Sequence, residues 1–147
     1  MAQNDDFDVK DFLPYLLNQA ADASSLEFQR YYKGRYGMLR TEWRVVFHLG
    51  RYGTLTAKEI CTRARIHKTK VSRAVGALEA KRFLTRSTDP DDRRHEALNL
   101  TRQGAAAYAD LSVKAKRFDA ELVAGMSQTD RDTLRRCLHQ IAGLSEV

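Results

Sequence analysis

Apolar and small residues recur at Leu17, Ala20, Ser24, Phe28 and Tyr31 in steps of three and four, and Pro14 stands where a first-turn residue needs no N–H partner. This predicts one long helix that gives way around Gly34 to Gly37. Thr41 reads as the N-cap of a second helix that turns Trp43, Val46, Phe47 and Leu49 inward and stops at Gly50 or Gly53. Thr56 followed by Glu59 is a capping box, opening a short helix through Ile60 and Cys61.

After Ala64-Arg65-Ile66-His67, Val71, Val75 and Leu78 again fall at helical spacing. Lys68, Thr69, Lys70, Ser72 and Arg73 lie largely off that stripe, so the helix carries cations and hydroxyls on its open face instead of the mixed Glu/Lys pairs of a merely soluble helix. Phe83 to Ser87, the turn-rich Thr88-Asp89-Pro90-Asp91-Asp92 and the alternating Ala97-Leu98-Asn99-Leu100 predict a hairpin carrying Arg86, Arg93, Arg94 and His95. Thr101 caps a last long helix with Tyr108, Leu111, Ala115, Phe118 and Leu122 on one seam, closed by Gly125. Ser127 with Asp130 opens a final helix bearing Leu134, Leu138 and Ile141.

The 147 residues suit a single unit, and 43% hydrophobic residues suffice for a core. No apolar run approaches the roughly 18 residues of a membrane span, and the opening MAQNDDFD is acidic where a leader would be basic, which predicts a cytoplasmic chain. The net charge of +6 is unevenly spread: residues 40 to 104 hold 15 Lys+Arg and 7 Asp+Glu, a local balance of +8, and the rest balances at −2. A basic centre between near-neutral flanks is the footprint of a phosphate-binding surface, although charge alone describes a solvated face equally well.

The segments TEWRVVFHLGRYGTLTAKEI, KTKVSRAVGALEAKRFLTRS and DPDDRRHEALNLTRQG resemble the MarR family of winged helix-turn-helix transcription regulators. The most specific parts are Val71-Ser72-Arg73 with Leu78-Glu79, and Asp92 and Arg94 ahead of Leu100-Thr101 at the family's wing spacing. The expected fold is mainly α with a small β-hairpin wing. One MarR-like unit spans 1–147, with a DNA-binding module at 41–101 and dimerisation helices at 8–36 and 102–147. The resemblance implies an obligate homodimer with intertwined terminal helices, bound to double-stranded DNA at a pseudo-palindromic operator, mostly as a repressor. Many family members also respond to small aromatic or phenolic ligands. Apolar stripes beyond the needs of one small winged core agree with such an interface.

Within that frame Arg73 is the candidate for base reading, because a guanidinium pairs bidentately with O6 and N7 of guanine. Ser72 and Thr69 are short donors for phosphates or base edges, and Lys68 and Lys70 near the helix start suit phosphates. The resemblance assigns Arg94 to the minor groove, held by Asp92, and Arg93 would meet phosphate. Many relatives have glycine where this chain has Arg82, so that residue is expected to be strained or the helix to end differently, with its side chain available for phosphate. An effector pocket in the family's position would involve Tyr15, Asn18, Trp43 and Phe47; aromatics at helical spacing are read equally as core.

Some relatives sense peroxide through an N-terminal cysteine, which this chain lacks; Cys61 and Cys137 read as small buried hydrophobes. His48, His67, His95 and His139 show no metal-ligand spacing, and no phosphate-cradling glycine loop appears. Neither an enzyme nor a cofactor is expected. The competing reading is an architectural or thiol-responsive DNA-binding protein without a small-molecule effector.

Overall fold

The structure is a computed structural model that describes residues 6–89 and 92–144; of residues 89 and 92–95 it describes the backbone. A short 3-10 turn at Val9–Asp11, capped by the Asp8 carboxylate, leads into α1 (Leu13–Tyr36). Gly37 ends α1 in the left-handed region at φ 64°, a conformation that costs glycine nothing. Helix α2 (Arg40–Tyr52) does not use Thr41 as its cap. Glu42 instead reaches back to accept the Leu39 N–H at 3.1 Å, which satisfies one of the donors a helix start leaves open.

The two-residue strand β1 (Leu55–Thr56) runs directly into α3 (Ala57–Ala64), whose Thr56/Glu59 capping box forms as expected. Helix α4 (Lys68–Ala80) begins at His67, whose Nδ1 accepts the Thr69 N–H at 3.2 Å. Strands β2 (Leu84–Asp89) and β3 (Asp92–Leu100) form the hairpin, and β1 adds to it antiparallel, giving the order β1-β3-β2. Thr101 caps α5 (Arg102–Leu122), and Ser127 caps α6 (Gln128–Ala142). The end of α5 precedes Gly125 by several residues, with Val123 at its C-cap.

The core lies between α2, α3, α4 and the sheet, closed on its remaining side by α1 and α5. Val45, Val46, Ile60, Val71, Val75, Leu78, Leu84, Leu98 and Leu111 are all buried in it. Each such side chain contributes about 1.5 to 3 kcal/mol of transfer free energy. Two glycines permit close approach: a Cβ on Gly50 would run into the Tyr108 ring, and one on Gly104 into the Phe83 carbonyl. Helix α2 therefore meets α5 at Gly50, and the start of α5 meets the root of the hairpin at Gly104.

The departure at Arg82 resolves into geometry. Arg82 adopts φ 66°, its N–H bonds to the Glu79 carbonyl, and the Phe83 N–H bonds to the Leu78 carbonyl at 2.9 Å. This is a Schellman ending with arginine in the glycine position, at a cost of about 1 to 2 kcal/mol. The buried Leu78 and Phe83 provide the hydrophobic closure that goes with the motif.

Candidate nucleic-acid interface

Helix α4 is two-faced in the sense its sequence predicts. Val71, Ala74, Val75 and Leu78 are buried, whereas Lys68, Thr69, Lys70, Ser72 and Arg73 are all exposed. An open cleft of about 710 Å³ separates the exposed flank of α4 from α3 and is lined by Ala57, Lys58, Cys61, Lys68, Thr69, Ser72 and Arg73. On the opposite flank a groove of about 410 Å³ runs between α4 and the start of α2, past Leu39, Thr41, Lys70 and Arg73. Arg73 borders both hollows, so it stands on the crest of the helix. Among the described residues no carboxylate forms an ion pair with Lys68, Lys70 or Arg73. Their charge is therefore available to an external anion.

The backbone of Asp92, Arg93 and Arg94 opens β3 at the hairpin tip; their side chains lie outside the described residues. Arg86, which the sequence groups with the hairpin cations, is committed elsewhere. It bridges Glu79 at 3.3 Å and Glu96 at 3.2 Å, tying the end of α4 to β3 at the wing root. Two carboxylates neutralise it, which leaves little for a phosphate.

Trp43 and Phe47 belong to a continuous aromatic cluster. Their rings meet edge to face at 5.0 Å; Trp43 also packs on Phe28 at 5.3 Å and Phe47 on Tyr108 at 5.4 Å. Tyr15 and Asn18 are exposed near the start of α1. Asn18 precedes Phe28 by ten residues, so it sits about 15 Å along the helix from the level at which α1 touches Trp43. Within one chain the four residues thus form two separate pairs. The cysteine reading needs correction: Cys61 is half-buried at the cleft, but Cys137 is exposed, because α6 has no cover in its own chain.

Four polar connections had no sequence signal short of knowing the fold. Tyr31 and Tyr36 both donate to Asp110 Oδ2, at 2.6 and 2.5 Å, pinning α1 to α5, with Arg35 beside them. The two phenols hold the Asp110 carboxyl below the usual carboxylate range. The bond to Asp110 raises Tyr31, and burial together with that same carboxylate raises Tyr36. Glu42, buried, pairs with Lys81 at 2.6 Å. Arg65, left-handed at φ 54°, reaches the carbonyls of Ala142 and Gly143. Arg44 spends one guanidinium N–H on the Ala64 carbonyl at 2.9 Å, and burial lowers its pKa.

A two-helix reader followed by a three-stranded wing, framed by long helices, defines a winged helix-turn-helix protein. Residues 36–95 match the MarR family model. Over 97 residues the chain is 27% identical to an uncharacterized HTH-type transcriptional regulator, YwoH, of Bacillus subtilis, covering 66% of this chain and 70% of that one. With two further curated relatives the matched stretch spans 63% and 57% of their lengths. A solved MarR family transcriptional regulator from Silicibacter pomeroyi superposes with TM-score 0.75 at 28% identity, covering 91% of this chain and 89% of that one. The same fold at TM-score 0.82 and 20% identity is found in BpsR of Bordetella bronchiseptica, whose structure concerns regulation of its DNA binding by 6-hydroxynicotinic acid; it covers 90% of this chain and 99% of that one. Over residues 36–95 the chain is similar to the MarR family, and its fold is the one found in winged helix transcriptional regulators of that family. Among the described residues no helix is long and apolar enough to cross a membrane.

Proposed function

We propose that this chain is a cytoplasmic, homodimeric regulator that represses by binding a pseudo-palindromic operator. The observation that carries the proposal is the open face of α4: Lys68, Thr69, Lys70, Ser72 and Arg73 stand exposed above a wholly buried apolar face. Arg73 reads a guanine edge, Ser72 and Thr69 contact phosphates or base edges, and Lys68 and Lys70 neutralise phosphate. Arg94, held by Asp92, enters the minor groove, and Arg93 meets phosphate. The second copy covers the apolar residues that one chain leaves open on α1 and α6, and the two α4 helices then enter successive major grooves about 34 Å apart.

Release by a small aromatic ligand at the arm junction, with Tyr15, Asn18, Trp43 and Phe47 contributing, is supported by the regulation of BpsR by 6-hydroxynicotinic acid. The packed state of Trp43 and Phe47 favours a second reading, a DNA-binding protein with no effector. Selection of bound duplexes from random DNA, repeated with a panel of aromatic acids and phenols, separates the two. Ligand-dependent loss of the selected duplex is expected; binding unmoved by the whole panel favours the second reading. Arg73→Ala should cost about 1 to 3 kcal/mol at the selected site with relaxed base preference, whereas Lys68→Ala should weaken all sequences alike and lower the salt slope by about one. Equal loss of specificity from both would contradict the assignment.

A further inference from the structure

Helix α4 is held at its C-terminal end by the joint between α1 and α2, and the turn before its N-terminal end is held by the end of α6. At its C-terminal end, Lys81 Nζ donates to the Gly37 carbonyl and to Glu42 Oε1, each at 2.6 Å. Gly37 is where α1 stops, and Glu42, only 2% exposed, uses its other oxygen to hold the Leu39 N–H. The hook therefore joins the end of α4 to the joint between α1 and α2. At the other end, Arg65 lies in the turn before α4 and donates to the carbonyls of Ala142 and Gly143, where α6 finishes. Those carbonyls belong to the set that a helix end leaves without partners, and the cation also suits the negative end of the helix dipole.

Two tethers at opposite ends define the axis of a rigid rod. The 13 residues of α4 make it about 20 Å long, so a displacement of about 1 Å at either tether tilts it by about 3°. Both tethers are polar, and of their side chains only Glu42 is buried. We propose that Lys81, with Glu42, and Arg65 are positioning residues that fix the tilt of α4 relative to the arms, and thereby the half-site separation the dimer accepts, without themselves touching DNA. The inference rests on the reading of the chain as a DNA-binding dimer.

The test uses the full chain and duplexes carrying the selected half-sites at the preferred separation and at one base pair more or fewer. Lys81→Met is measured beside the double variant Glu42→Gln/Lys81→Met, because the single change leaves a buried carboxylate without its cation. Arg65→Asn removes the other guanidinium with a residue that tolerates the left-handed backbone. Each variant is expected to remain dimeric and to lose at least threefold of the preference for the best separation, at an unchanged slope of log affinity against log salt; Lys81→Arg restores the preference. A variant spacing profile identical to that of the unmodified protein, or uniform weakening at every separation, overturns the positioning role. A slope lower by about one per cation lost would show instead that the residue binds phosphate. If the unmodified chain binds no duplex at all, the DNA-binding reading itself fails and this inference with it.

Discussion

The winged module and the arms are written in the same apolar periodicity but meet different fates. From Met38 to Leu98 the stripes of α2, α3, α4 and the sheet are covered by their own chain. In the 3-10 turn and α6 no residue is buried, and in α1 only Tyr32 is. Phe7, Phe12, Leu13, Leu134, Leu138 and Ile141 stay exposed. Periodicity therefore specifies a stripe, whereas the geometry of the connections decides whether that stripe finds cover within the chain. A set of large apolar side chains exposed at both termini is more than a stable monomer ordinarily leaves in water.

The sharpest way to break the contrast is one truncation in each region. Leu78→Ala, in the module core, should cost about 2 to 5 kcal/mol in a denaturant titration. Leu138→Asp, on α6, should halve the mass seen by sedimentation and abolish the dependence of the unfolding midpoint on chain concentration that a dimer shows. A dimer that survives Leu138→Asp would mean that the exposed stripe of α6 is not what joins the two copies.

A smaller effect is expected at the seam between module and arm. Gly104→Ala places a methyl against the Phe83 carbonyl and should cost about 1 to 3 kcal/mol by thermal unfolding. Arg82→Gly works in the opposite direction, relieving the left-handed arginine at the end of α4 and stabilising by about 1 kcal/mol at most. No gain in stability would contradict the strain assigned there.

The smallest effect concerns the tie between α1 and α5. Asp110 is held below its ordinary range, so its contribution is present above the unfolded carboxyl value near 4 and is lost as pH falls through the folded value. Tyr31 and Tyr36 are raised, so theirs is complete below about 10 and is lost as pH climbs through their folded values. Asp110→Asn should flatten the melting temperature against pH at both edges; unchanged curvature would remove the network from the stability of the arm.

Features carried by neighbours in sequence were legible. The Thr56/Glu59 box, the Thr101 and Ser127 caps, the hairpin and the two-faced α4 each depend on residues within a few positions of one another. What escaped was either non-local or too short to be periodic. The strand β1 has two residues and exists only because β3 lies beside it. The cap of α2 comes from Glu42 reaching backward, a contact that the local preference of Thr41 for an N-cap position does not reveal. Lys81 pairs with Glu42 across 39 positions and Tyr31 with Asp110 across 79, separations at which no spacing rule operates. The exposure of the α4 cations could be read directly, whereas the commitment of Arg86 to two glutamates could not.

The contact of Gly50 with the Tyr108 ring carries a lesson for anyone redesigning this scaffold. Positions 50 and 108 make a single steric lock: a methyl added at the first demands that the second be recut at the same time. Paired libraries at those two sites should return function far more often than the product of the two single-site libraries.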